Sequence, residues 1–559
     1  MAEFLRWKLK TTKRNKEKER IMRKLRKVMA LLLTLAMVMG MSLTTFAANS
    51  IIGDSDDTGT IAVKGITETE GLTVTAYKII EAKYDETTEA FSGYRSRYDD
   101  VTTDDINTTP DGENVEINEE QVKEILADIQ AENPSVTPDP YTMSYDSNTG
   151  SYKASGVGIG SYLVVITGAE THVYNPVVAS VYYTNDTGSA NDISDGITNI
   201  TSNPGWVKVS DVPTVSKVVS DNDETNVKGH SVNVGETVTY DVTVSPIPYY
   251  SGAHPTLKVT DTLEQGLTFV ENVEDSLTVK IGQTPLVKNT DYTVNVDGQT
   301  IVINFVVGGN YTLNNYQGQS AVISYQATVN TNAEMNELAN ENKVVLDYAK
   351  DSKVAGAVGQ DTDKTYTYTF DIDGDTTGNI ITKKGEGGDS EALAGAKFKL
   401  YTDADCQNEY QSNPKFNASL KEGYIVSDQN GQLYIPGLEA NYKDNAAGTY
   451  YLKEIEAPDG YSVNTHIFKI EVDANYNEEM GIIKGWTITV DGTAVASFTV
   501  EDGELSNTSI TGVTIQNTKL AELPGTGGIG TTIFTIGGCV IMIAAAGLYF
   551  ASRRKHGEN

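Results

Sequence analysis

Cysteine is nearly absent: 559 residues contain only Cys406 and Cys539. Cys539 sits in an apolar C-terminal run, so once that run is removed no intrachain disulfide can form. An exported chain built this way needs another covalent device if it is to be cross-linked at all. Histidine is also scarce, with five scattered residues. No His-Glu-x-x-His, Gly-x-Ser-x-Gly or Gly-x-x-x-x-Gly-Lys pattern occurs, so the chain is not expected to be an enzyme or to hold a metal or cofactor. Asp371, Asp373 and Asp375 offer the carboxylates of a calcium loop but lack its spacing and closing Glu, and they read as a turn. Positive charge is in short supply, 43 Lys and Arg against 76 Asp and Glu for a net charge of −33. Such a surface repels nucleic acid.

Much of the basic charge lies at the start, where residues 1–48 carry 12 basic and 3 acidic residues. Arg23 to Lys27, an apolar core over 28–41 and the small-residue site at Ala47 form a secretory signal peptide, removed on export. The long basic stretch before Met22 leaves the start codon open between Met1 and Met22.

What the chain has in abundance is strand-forming sequence. Short runs of Val, Thr, Ile and Tyr, 31 Tyr in all, are punctuated by turn pairs such as Asp297-Gly298, Asn430-Gly431 and Asp491-Gly492. The pattern predicts an all-β chain of tandem immunoglobulin-like β-sandwich domains. One helix is expected in the N-terminal domain, where Val122, Ile125, Leu126 and Ile129 recur at helical spacing between a cap at Asn118 and a stop at Pro134. The expected divisions are a signal peptide over 1–48, an N-terminal domain over 49–205, a middle domain over 213–355, a third domain over 365–519 and a terminal segment over 523–559. The polar stretch 350–364 reads as a joint.

The terminal segment has three parts in sequence. Leu523, Pro524, Gly525, Thr526 and Gly527 precede an apolar run over 529–551, long enough for a transmembrane helix, and then Arg553, Arg554 and Lys555, which keep the tail cytoplasmic. Together they resemble the cell-wall sorting signal of Gram-positive surface proteins. That resemblance implies that a sortase cuts between Thr526 and Gly527 and joins Thr526 to an amine. The chain would then be secreted and fixed covalently to the wall peptidoglycan, its precursor held briefly in the membrane by the C-terminal helix. A plain membrane anchor with an incidental Pro-Gly turn is the alternative.

In the third domain, the run from Leu393 to Tyr401, the box Tyr450, Leu452 and Glu454, and the run from Val513 to Asn517 resemble the collagen-adhesin B-type domain of Gram-positive pilins and adhesins. The resemblance implies an isopeptide bond between Lys383 and Asn517, assisted by Glu454, with Lys384 as the other candidate amine. Parity is consistent with this. Side chains alternate faces along a strand, so Lys383 points with Ile381, Glu454 with Leu452 and Asn517 with Ile515, into an apolar core. Burial disfavours charge on both Lys and Glu, and leaving three such groups unpaired there is costly. An ordinary salt bridge beside a turn-capping Asn is the alternative.

The middle domain carries Lys217, Asp261 and Asn342 in runs that resemble the isopeptide-forming domain of pilin backbone subunits, again with inward parity. A surface turn is the other reading for Asp261. In that family the amine that receives the sorting signal is a Lys at the end of the first domain. Lys208, in Trp206-Val207-Lys208-Val209, holds this position, although the family's Tyr-Pro is missing. Lys64 and Lys78 lie in strand-like runs with no evident partners, and no bond is assigned there.

The reading implied is a structural subunit of a covalently polymerised cell-surface pilus. Its partners would be sortase, other pilin subunits in a homopolymer, peptidoglycan and a host surface ligand, and its only chemistry a single-turnover isopeptide reaction. The alternative is a wall-anchored monomeric adhesin or an ancillary tip or base subunit.

Overall fold

The computed structural model describes residues 53–68, 70–98, 119–185, 196–220, 225–373, 378–387, 391–411, 413–442, 446–520 and 530–554. The expected leader, Asn118, Asp375 and the motif at 523–527 lie outside them. Among the described residues, strands dominate and are arranged as successive sandwiches.

The N-terminal sandwich sets the strand Thr58–Lys64, flanked by Ser151–Gly158 and Gly205–Trp206, against a sheet containing Val177–Thr184, Gly160–Thr167 and Thr73–Tyr84. Ile61, Val63, Val74, Tyr162, Val164 and Val181 fill the space between. The strand Gly160–Thr167 is buried along both faces. The reason is the helix Glu119–Gln130, which lays Val122, Ile125 and Leu126 on the outer side of the sheet against Ile79, Ile80, Leu163 and Val165. A strand covered on both sides must be apolar at every position rather than alternately, and Tyr162 to Ile166 meets that demand.

The middle sandwich has two facing sheets. One runs Thr225–Val227, Thr214–Ser220, Thr237–Ser245, Ala321–Val329 and Thr278–Ile281. The other runs Gly229–Ser231, Val358–Tyr368, Asn340–Ala349, Leu257–Leu263 and Thr300–Asn304. The stretch 350–364 is therefore not the joint that its polarity suggests. After a turn it forms much of Val358–Tyr368, paired antiparallel with Asn340–Ala349. Its acids serve as backbone acceptors: Asp361 and Asp363 take the N–H groups of Val215 and Lys217 at 2.8 and 2.6 Å, tying the Lys217 strand to the facing sheet. The change of sandwich falls near Thr369, beyond which Phe370–Ile372 pairs with Ile435–Leu438.

The C-terminal sandwich is built on a seven-stranded sheet containing Lys397–Tyr401, Thr449–Glu456 and Ile467–Tyr476. Over it lie Ile381–Gly385, an early strand of the unit, and Val513–Asn517, its last, paired in parallel. A helix, Gly530–Arg554, follows, and Thr532–Arg553 within it is long and apolar enough to cross a membrane.

The sandwiches are joined by buried polar contacts. Lys353 bonds Asp351 and the Tyr174 carbonyl of the N-terminal unit, each at 2.7 Å. Between the middle and C-terminal units, the Asn233 side-chain oxygen accepts from the Tyr410 and Tyr450 hydroxyls at 2.6 and 3.0 Å and from the Glu439 N–H at 3.0 Å. Removing a shared buried acceptor costs about 1–3 kcal/mol per stranded group. Asn233→Ala is accordingly expected to lower stability by about 3 kcal/mol. Thermal unfolding of the whole chain checks this, and an unchanged melting profile would show that the contact carries no load.

Candidate functional site

Two side-chain clusters stand out because each encloses a lysine that is 0% exposed, Lys217 and Lys383. In the C-terminal sandwich, the alternation of Ile381–Gly385 buries Lys383 and leaves Lys384 half exposed. The backbone of Lys383 is held from behind by the Asn430-Gly431 turn. Its N–H donates to the Gly431 carbonyl at 2.7 Å. Gly431 has φ +77°, and a Cβ there would stand 2.4 Å from the Lys383 carbonyl oxygen, so this turn needs glycine.

Lys383 Nζ donates to Glu454 Oε2 at 3.1 Å and to Asn517 Oδ1, while Asn517 Nδ2 donates to Glu454 Oε1 at 2.8 Å. The Asn464 N–H completes the shell on Glu454 Oε2 at 2.8 Å, and the Phe398 ring lies 5.6 Å from the ammonium. Burial pushes the Lys383 amine below its ordinary range, opposed by the charge of Glu454. Upstream, Asp373 accepts from the N–H of Ile381 at 2.8 Å and from that of Ile380, fixing the start of the Lys383 strand.

The middle cluster spans the two sheets. Lys217 comes from one sheet; Asp261 and Asn342 come from neighbouring strands of the other, with Asp261 opposite Val344 and Asn342 opposite Leu263. Lys217 Nζ donates to Asp261 Oδ2 and to the Tyr325 hydroxyl. Tyr325 in turn donates to Asp261 Oδ1 at 2.6 Å and accepts from Asn342 Nδ2 at 2.9 Å. Asp261 and Asn342 are buried, so Asp261 is not a surface turn residue. Burial lowers the Lys217 amine, against the pull of Asp261. The rings of Tyr240 and Tyr325 sit 5.0 and 4.9 Å from it.

Tyr325 was not among the expected residues, although a signal for it exists. It stands at inward parity in Ala321–Val329 with Ile323 and Ala327, bringing a hydroxyl into an otherwise apolar row.

The structure places Lys208 apart from both clusters. Its side chain is exposed and its Nζ lies 5.0 Å from the ring of Tyr249. Its backbone is pinned, for the carbonyl accepts the Asn175 N–H at 3.0 Å and the flanking residues pair as Trp206 with Lys64 and Val209 with Tyr174. Lys64 and Lys78 point their amines at the rings of Trp206 and Tyr162, each at 5.6 Å. Thr526 and the rest of the sorting motif lie outside the described residues. No group of three or more His, Cys, Asp or Glu among the described residues is arranged to hold a metal ion.

Four family descriptions match successive parts of the chain. They are a T6 antigen Ig-like domain over residues 56–209, a Gram-positive pilin backbone subunit 2, Cna-B-like domain over 234–352, a prealbumin-like fold domain over 378–486 and an LPXTG cell wall anchor motif over 515–558. The trypsin-resistant surface T6 protein of Streptococcus pyogenes serotype M6 is 27% identical, over 94% of this chain and 99% of that protein. Among solved structures, the T6 backbone pilin of serotype M6 Streptococcus pyogenes has 19% identity and a TM-score of 0.48, covering 84% of this chain and all of that one. The major pilin SpaD of Corynebacterium diphtheriae has 17% identity and a TM-score of 0.43, covering 84% of this chain and 99% of that one. The anchor match, together with the apolar helix, marks a secreted precursor fixed to the cell wall. Pilin-backbone and wall-anchor family models thus match successive parts of the chain, and with the T6 relative they support a sortase-assembled Gram-positive pilin.

Proposed function

We propose that the chain is the repeating unit of a cell-surface fibre whose strength is covalent both within and between subunits. The observation that carries this is the Lys383, Glu454 and Asn517 cluster: an amine, a carboxyl and a carboxamide in mutual contact inside an apolar core. Lys383 passes a proton to Glu454, and the resulting neutral amine attacks the Asn517 carboxamide carbon. Glu454, in contact with Nζ and Nδ2 at once, returns a proton to the leaving nitrogen. The carbon to Nδ2 bond breaks, ammonia leaves, Glu454 takes the surplus proton of the newly acylated nitrogen, and a Lys-Asn isopeptide remains. Lys217, Asp261 and Asn342 support the same reaction in the middle sandwich, once per folded chain and without turnover.

Between subunits, a sortase takes the chain at Thr526, and the exposed Lys208 amine of another copy attacks the resulting acyl-enzyme. The fibre ends on peptidoglycan. The pinned backbone and exposed side chain of Lys208 suit it to meet an enzyme without unfolding. Lys208→Ala is expected to abolish the boiling-resistant ladder of multimers on cells carrying the cognate sortase. An unchanged ladder would place the linkage at another lysine. If the unsubstituted chain gives no ladder, it is a monomeric adhesin or an ancillary subunit.

A further inference from the structure

The two clusters differ in how the carboxyl reaches the amide. Glu454 spans both reacting groups, with one oxygen on Lys383 Nζ and the other on Asn517 Nδ2. Asp261 is one methylene shorter. One of its oxygens takes Lys217 Nζ, but the other is bonded to the Tyr325 hydroxyl rather than to the amide. The amide Nδ2 donates to that same hydroxyl, so the phenol occupies the place that the second Glu454 oxygen holds in the other cluster. Asn342 Oδ1 is buried with no hydrogen-bond partner, leaving Nδ2 as the group through which the amide is held.

We propose that Tyr325 is a catalytic residue of the middle sandwich, relaying a proton from Asp261 to the Asn342 amide nitrogen as ammonia leaves. The proposal rests on the isopeptide reading of that cluster. Lys217 first gives a proton to Asp261. The neutral amine then bonds to the Asn342 side-chain carbon. Protonated Asp261 donates to the Tyr325 oxygen while the hydroxyl turns its own proton onto Nδ2, so Tyr325 ends as it began. The carbon to Nδ2 bond breaks and ammonia departs. The surplus proton of the newly acylated nitrogen passes to Asp261, and the new amide keeps one hydrogen. Burial and the charge of Asp261 hold the phenol well above its ordinary range, which favours simultaneous gain and loss of a proton over a free phenolate.

The test uses the full-length chain made without sortase and digested at intervals after refolding. The peptide joining Lys217 to Asn342 is quantified by mass spectrometry against the one joining Lys383 to Asn517. Tyr325→Phe keeps the ring and is expected to form the middle link at least about a hundredfold more slowly, with the C-terminal link unchanged. Adding Asp261→Glu supplies a carboxyl long enough to span both groups, as Glu454 does, and is expected to restore most of the rate. Linking by Tyr325→Phe at the unsubstituted rate would overturn the relay. So would failure of both variants to link, which would assign the hydroxyl to packing. Absence of the link from the unsubstituted chain would instead overturn the bond reading on which the proposal rests.

Discussion

Pulled from its ends, a chain carrying Asn517→Ala is expected to release about 450 Å of hidden length when its C-terminal sandwich unfolds, whereas the unsubstituted sandwich releases almost none. The length follows from a sequence separation of 134 residues between Lys383 and Asn517 at roughly 3.4 Å per extended residue. These residues lie on parallel-paired strands near the two ends of the unit, with only the short Phe370–Ile372 strand ahead of Lys383, so tension enters close to one and leaves by the other. A bond between them routes the force past everything in between. In the middle sandwich the proposed Lys217 to Asn342 bond would leave residues 343–368 outside the bypass, so Val358–Tyr368 would stay on the load path and rely on its pairing with Asn340–Ala349. Single-molecule force spectroscopy on the two chains reads the difference. A long extension from the unsubstituted C-terminal sandwich would rule out the bypass.

Glu454→Ala is expected to be the most damaging single substitution in the same cluster. Loss of the bond removes about 5 kcal/mol by the chain-entropy account of a cross-link closing a loop of this size. Lys383 is then left as a buried cation without its partner, at a further cost of about 3–5 kcal/mol. The total approaches the whole stability of a domain, about 5–15 kcal/mol, so this sandwich is expected to be largely unfolded near its working temperature. Glu454→Gln preserves shape but turns one acceptor oxygen into an NH2 that faces a donor, and it cannot take up the proton. It is expected to be unlinked and to lose at least the stability of the cross-link, with less damage than Glu454→Ala because the cavity stays filled. Calorimetry separates the three chains. Equal melting of Glu454→Gln and the unsubstituted protein would mean that no cross-link exists.

Most of the two clusters was legible because the resemblance to pilin domains singled out the residues and strand parity agreed with it. An inward Lys, Asp, Glu or Asn between inward Val, Ile and Leu is conspicuous, but the adjacent Lys383 and Lys384 stayed open until the strand's register buried the first. Tyr325 escaped because an inward tyrosine in a sandwich is ordinary core; its role depends on which strand of the facing sheet lies opposite, and spacing along one strand does not encode that. The strand Val358–Tyr368 was hidden for the opposite reason. Its Asp361 and Asp363 look like loop residues until the Lys217 strand is set beside them with N–H groups to satisfy. Asn233 likewise becomes a hub only when the next sandwich supplies Tyr410 and Tyr450.

The covalent account is tested most directly by the intact mass of the chain without its leader and anchor. The mass is expected to fall short of that given by the sequence by two ammonia, one for Lys217 with Asn342 and one for Lys383 with Asn517. Asn342→Ala and Asn517→Ala should each abolish one of these losses. A mass equal to the full sequence would contradict the account.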